Sequence, residues 1–203
     1  MQIVSIDKRV RGKRLDLFEH PIFIRVNKFD EATADQFAEE MAIAHQTGQP
    51  VIPIVIDSFG GQAYSLLDMV SHIQAATLPV ATIVTGKAMS CGAILFSYGT
   101  DGYRYMSPQA TLMIHEVANL SSGKIEELKA DTVESERINK LVFHSMAKNC
   151  GHNKEYFLDL IHEKNHSDWF LTAEEAKEHK LCNHIGLPKM KSKVALDITW
   201  HSP

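Results

Sequence analysis

The chain reads as one α/β domain built on a mostly parallel sheet. Apolar β-branched runs alternate with amphipathic helical patterns along its length, the order expected of repeated βαβ units. The runs at 51–56 and 80–84 are apolar on both faces, as strands covered by helices on either side are. With 203 residues, 44% of them apolar and 23% charged, there is enough chain for one sizeable core.

Residues 22–26 predict a first strand, and 31–47 a helix capped by Asp30, with Phe37, Met41 and Ala44 on one face and Gly48 as its stop. The strand at 51–56 follows. Its Pro53 has no N–H for a ladder, which points to the edge of the sheet. Asp57-Ser-Phe-Gly-Gly-Gln62 is a glycine turn opening a helix over 63–75, with Leu66, Leu67, Val70 and Ile73 inward. After the strand at 80–84, the turn at Ser90 leads into a helix ending near Ser97. Strands are expected at 103–106 and 111–115 around the turn Ser107-Pro108.

The longest helical pattern runs over 124–149, with Ile125, Leu128, Val133, Ile138, Leu141, Val142 and Met146 apolar and Gly151 as the stop. Its charged face is broad, including Glu126, Glu127, Lys129, Asp131, Glu134, Glu136 and Arg137. Such a helix projects from the core or packs along a narrow stripe against another subunit. A helix at 154–163, a capping box Thr172-Ala-Glu-Glu175 and a last strand at 181–185 complete the order.

A net charge of −4 gives no reason to expect nucleic acid or an anionic membrane as partner. The basic residues clustered at 8–14 read as a solvated arm. The N-terminal residues lack the apolar core of an export signal, and no apolar run approaches a membrane span, so a cytoplasmic location is expected. Cys91, Cys150 and Cys182 are odd in number and lack a Cys-x-x-Cys spacing, which makes reduced thiols the default.

Chemistry concentrates at Gly86-Lys-Ala-Met-Ser90-Cys-Gly-Ala93. Ser90 lies between an apolar strand and a small-residue helix start, near backbone N–H groups that are able to stabilise an anion on a substrate carbonyl. An isolated serine in such a place also reads as a plain helix cap. The Gly60-Gly61 pair allows close backbone approach and is a second source of such donors. Other patterns weigh less. His162-Glu-Lys-Asn-His166 matches the zinc motif H-E-x-x-H, but Asn165, Ser167 and Asp168 end the helix before its second histidine, so the two do not share a face. A helix end running into a strand scatters His179, Cys182 and His184, and the aromatics of 18–29 read as core strand.

Four stretches taken together, Asp57-Ser-Phe-Gly-Gly61, Gly86 to Ala93, Ser107 to His115 and Asp168 to Ala176, resemble in order and approximate spacing the proteolytic subunit of Clp protease (ClpP). The likeness spans roughly residues 9–187. It implies the ClpP/crotonase-like spiral of βαβ units with a protruding handle helix, and a serine peptidase with Ser90 as nucleophile, His115 as general base and Asp168 orienting His115. Gly60 and Cys91 would supply the oxyanion-hole N–H groups. The resemblance further implies heptameric rings of this chain stacked in pairs, polypeptide substrates, and a Clp-type AAA+ unfoldase that uses the ATP. Neither metal nor other cofactor is implied for this subunit.

On that basis residues 1–20 form an N-terminal arm, 21–187 the protease domain with a handle at about 116–150, and 188–203 a tail. Departures from the family pattern are specific. Phe59 stands where proline is usual and Cys91 where methionine is. Residues 116–123 carry fewer glycines, residues 16–22 are shorter, and Pro53 and Val55 occupy positions where aromatic residues line the unfoldase-docking pocket. Two other classes remain open: a non-catalytic ring subunit that regulates an active paralogue, and a crotonase-type acyl-CoA enzyme. A virus-encoded maturation protease is a further variant of the peptidase reading.

Overall fold

Strand β3 (Val80–Met89) is the longest strand and the one on which the sheet is built. The computed structural model describes residues 21–118, 122–165 and 167–189. The basic cluster at 8–14, the rest of the N-terminal arm and the tail beyond Lys189 lie outside the described residues.

On one flank, β3 pairs in parallel with β2 (Ile52–Ser58), which in turn pairs with β1 (Ile24–Val26). On the other flank it carries two strands in succession. β4 (Arg104–Met106) lies along Thr82–Val84, and β5 (Thr111–Ile114) along Lys87–Met89, both in parallel. The turn at Ser107-Pro108 therefore moves the chain from one station to the next along β3 and is not a hairpin. β7 (His184–Ile185) pairs with β4, and β6 (Trp169–Leu171) pairs antiparallel with β5. The α/β class with a mostly parallel sheet is the architecture observed.

Two expectations are corrected. β3 continues through Gly86 to Met89, where only 80–84 was expected; its register with β2 shifts between Ile56 and Ser58, and Gly86 admits the approach of Asp57, since a Cβ there would stand 2.9 Å from Asp57 Oδ1. β2 is interior and not at an edge. Ile52 N–H donates to Pro79 O on the β3 side at 2.9 Å. Successive amides alternate sides in a strand, so the missing N–H of Pro53 faces the β1 side, one residue before that ladder begins at Ile24↔Ile54. β6 is an addition to the elements expected, and β7 is shorter than the 181–185 expected.

The helices follow their apolar faces. Asp30 Oδ1 caps α1 (Glu31–Ala44) by accepting from Thr33 N–H at 2.8 Å, and Phe37 and Met41 are buried. α2 (Ala63–Ala75) buries Leu66, Met69, Val70 and Ile73. Every residue of α3 (Cys91–Ser97) is buried. α4 (Ile125–Asn149) is the long helix, and its burial is confined to Ile138, Val142, Phe143, Met146 and Ala147. Each of the larger of these side chains stabilises the fold by roughly 1.5–3 kcal/mol. The other half projects, leaving Ile125 72% and Val133 66% exposed. α5 (Tyr156–Glu163) packs on α4, and Thr172 closes a capping box on α6 (Ala173–Glu178).

Arg104 of β4 joins three helix ends. Only 2% exposed, it donates through Nε to Leu181 O at 3.0 Å, through Nη1 to Gly99 O at 3.1 Å and Asn149 O at 3.3 Å, and through Nη2 to Lys180 O at 3.2 Å. These carbonyls lie at the C-terminal ends of α3, α4 and α6 or just beyond them, where helices leave acceptors unpaired and favour a cation. Asp101 Oδ1 at 3.3 Å supplies the counter-charge. Replacing the guanidinium leaves several carbonyls without a donor, so Arg104→Met is expected to lower unfolding stability by about 3 kcal/mol in urea titration. Arg104→Lys is expected to recover little, since one ammonium does not span four acceptors; a loss under about 1 kcal/mol in both variants would contradict this role.

Candidate active site

Ser90 ends β3. Its N–H donates to Met113 O at 2.8 Å, extending the β3–β5 ladder by one residue. The backbone there adopts φ 54, ψ −120. An L-residue with a Cβ occupies that region at a cost of about 1–3 kcal/mol, tolerated where surrounding structure over-determines it. Although Ser90 stands at the N-cap position of α3, its hydroxyl makes no capping hydrogen bond. A plain helix cap accounts for neither fact.

The strand registers bring the other two residues of interest to the same end of the sheet. Met89 pairs with Met113, which sets Ser90 beside Ile114 and one residue short of His115. Ile114 pairs with Trp169 in the antiparallel β5–β6 ladder, and one further step sets His115 opposite Asp168. Asp168 thus leads into a strand and does not lie in a free loop. His115 is half-buried, with Nδ1 against the Glu116 carbonyl oxygen, and Asp168 is exposed. Among the described residues no hydrogen bond joins Ser90, His115 and Asp168. Catalytic hydrogen bonds commonly tighten only in the substrate complex.

Gly60 closes on Ser90 from the β2 side. It has φ 105, and a Cβ on it would fall 2.8 Å from Ser90 Cβ and 3.2 Å from Ser90 Oγ, so only glycine fits both the conformation and the space. Its N–H donates to the buried Ser58 Oγ at 3.1 Å. Cys91 N–H, first in α3, has no acceptor within the helix. Beside them, Lys87 Nζ lies 2.9 Å from Asp57 Oδ1 and 4.4 Å from the centroid of the Phe59 ring, and Phe59 is 72% exposed. The Lys87 ammonium holds the Asp57 carboxyl below its ordinary range. Phe59 therefore stands as an exposed aromatic group next to Gly60.

The competing sequence patterns resolve into structural roles. α5 stops at Glu163 and Asn165 takes φ 57, as expected from its turn formers, while His166 lies outside the described residues. His179 Nδ1 meets Tyr156 Oη at 2.8 Å, and Cys182 Sγ donates to His184 O at 3.1 Å, so those side chains are engaged separately. Phe29 is core and Phe23 is 42% exposed. Residues around the site that the sequence did not single out are Lys87, Glu116 and Asn139. Lys87 and Glu116 lie within three residues of Ser90 and of His115, which is the one signal that could have found them; Asn139 has no local signal.

A half-buried serine turn closed on a glycine backbone, at the end of a parallel α/β sheet, defines the class of protein. A family model described as Clp protease matches residues 10–189, and the chain belongs to that family. It is similar to ATP-dependent Clp protease proteolytic subunit 2 of Corynebacterium jeikeium, 30% identical over 171 residues that cover 83% of this chain and 80% of the relative. Subunit 3 of Nocardia farcinica is 29% identical over 169 residues, 82% of this chain and 75% of the relative. Subunit 1 of Bifidobacterium longum is 30% identical over 171 residues, 83% and 72% respectively. No helix among the described residues is long and apolar enough to cross a membrane.

Cys91, adjacent to Ser90, is a poor nucleophile. It is buried, its Sγ donates to Gly61 O at 3.3 Å, and burial pushes its thiol up. Burial likewise pushes Cys150 up to about 12 and raises Cys182. Since the thiolate is the reactive form, all three cysteines are expected to resist a disulfide reagent at pH 8 in the folded protein and to react once it is denatured. Fast labelling of Cys91 in the folded protein would contradict this and reopen thiol chemistry at the site.

Proposed function

We propose that this chain is the serine endopeptidase subunit of a Clp-type protease, with Ser90 as nucleophile, His115 as general base and Asp168 orienting His115. The single observation that supports the reading is the strand register that brings these three backbone positions to one end of β3, β5 and β6, with Gly60 packed on a strained Ser90. His115 Nδ1–H donates to the Glu116 carbonyl and, in the proposed triad, shares that proton with the Asp168 carboxylate, so the imidazole keeps its Nε2 lone pair for the Ser90 hydroxyl proton. Ser90 Oγ then attacks the peptide carbonyl, and the imidazolium returns the proton to the leaving amine. Water hydrolyses the acyl-enzyme by the same base. The oxyanion is held by Cys91 N–H and by Gly60 N–H, which exchanges Ser58 Oγ for substrate.

A Ser58 hydroxyl on Gly60 N–H, and a site whose three side chains are not yet bonded to one another, also suit the second reading, a non-catalytic ring subunit beside an active paralogue. Family membership suggests rings that work with a Clp-type unfoldase, and such a partner, not this chain, would use ATP. The exposed apolar residues of α4 support assembly through that helix, with its tether at Tyr64 Oη to Glu134 Oε1, 2.8 Å, setting where it leaves the body.

A fluorophosphonate probe is expected to label the wild type, and Ser90→Ala to remove both labelling and peptide cleavage, a loss on the order of 10⁴-fold. Labelling that persists in Ser90→Ala, or activity abolished by chelators, would overturn the serine mechanism, and an unlabelled wild type would favour the non-catalytic reading. Light scattering at micromolar concentration is expected to give a ring mass, and a monomer would contradict assembly.

A further inference from the structure

The segment that leaves His115 is gripped at two points by one side chain of α4. Asn139 Oδ1 accepts from Val117 N–H at 3.0 Å, and Asn139 Nδ2 donates to Glu116 Oε1 at 3.2 Å. Only one orientation of the amide serves both partners, because the N–H needs an acceptor and the carboxylate a donor. The same Glu116 oxygen also faces α5, 4.0 Å from His162 Nε2.

The consequence follows from the planarity of the peptide. In a trans peptide the N–H and C=O point in opposite directions from one rigid plane. Fixing Val117 N–H on Asn139 therefore fixes the direction of the Glu116 carbonyl, and that carbonyl is the group against His115 Nδ1. We infer that Asn139 is a positioning residue for His115: through the Glu116–Val117 peptide it aims the carbonyl that holds Nδ1, and so turns Nε2 toward Ser90. This rests on the serine-peptidase reading and deepens it. Part of the orienting task given to the exposed Asp168 is carried by backbone, and the long helix thereby acts on the chemistry it does not itself touch.

The test is a charge-pattern exchange read by kinetics. Asn139→Ala removes both grips, and Asn139→Asp keeps the acceptor for Val117 N–H but sets a carboxylate against Glu116. Both are expected to lower kcat about tenfold, with KM within about twofold, and to slow fluorophosphonate acylation in parallel, as a small misplacement of a general base does. Combining Asn139→Asp with Glu116→Gln restores a donor–acceptor pair with the roles reversed, and is expected to return kcat to within about threefold of wild type. A residue that merely packs the helix would lower thermal stability and gain nothing in kcat from the exchange. Wild-type kcat and acylation in Asn139→Ala would overturn the inference. So would an exchange variant with native Tm and mass but no recovery over Asn139→Asp. Should Asn139→Ala fail to fold, the comparison of Asn139→Asp with the exchange variant decides alone. An unlabelled wild type would overturn the peptidase reading itself, and this inference with it.

Discussion

Parallel pairing along both flanks of β3 is the constraint on which the rest depends. One ten-residue strand serves β2 on one side and, in succession, β4 and β5 on the other. Its first half builds the core, through Val80, Ile83 and Val84, and its second half delivers Ser90 to a fixed point at the sheet's end. Because Ser90 N–H is already committed to Met113 O, the chain enters α3 only by turning sharply at that residue. The positive φ of Ser90 is thus a consequence of continuing the ladder one residue beyond the strand and starting a buried helix at the next. Strain of about 1–3 kcal/mol is held there by the packing of α3 and by Gly60.

How the long helix meets this core explains its mixed character. Its C-terminal half supplies Phe143 and Met146 to the interior and ends where Asn149 O accepts from Arg104. Its N-terminal half carries exposed apolar groups among charges, and is anchored near the Gly-Gly turn by Tyr64 and Glu134. Arg137 forms two hydrogen bonds to Glu134 at 2.7 Å, holding that carboxyl down at about 2, so the anchor keeps its charge well into acid. Asn139 lies between the two halves. The same helix therefore touches the core, the Gly-Gly helix and the segment after His115.

Much of this was legible in the sequence, for reasons that differ by element. Periodicity and caps marked α1, α2 and α4, and Asp30 and Thr172 cap as their types predict. Ser90, His115 and Asp168 are proposed from ordered motifs, and the strand registers bring these three backbone positions to the same end of the sheet. What escaped was set by long-range contacts. Pro53 read as an edge marker because nothing local tells which flank its missing N–H faces. The strand read from 80–84 stopped short of Gly86, whose place in β3 depends on the Asp57 side chain of the neighbouring strand. Arg104 looked like any strand arginine, and its acceptors, up to 77 residues away, have no sequence signature. Asn139 lay on what reads as a solvated face, and only folding brings it to Glu116.

The central claim is that the end of β3 is a nucleophilic serine centre with backbone stabilisation of the oxyanion. The most direct measurement is a structure of the assembled protein treated with a peptide boronate. The account predicts a covalent bond to Ser90 Oγ, a boronate oxygen within hydrogen-bond distance of Cys91 N and Gly60 N, and Gly60 N–H released from Ser58. A boronate bonded to another residue, or an unmodified Ser90 with Gly60 N–H still on Ser58 at saturating inhibitor, would contradict it.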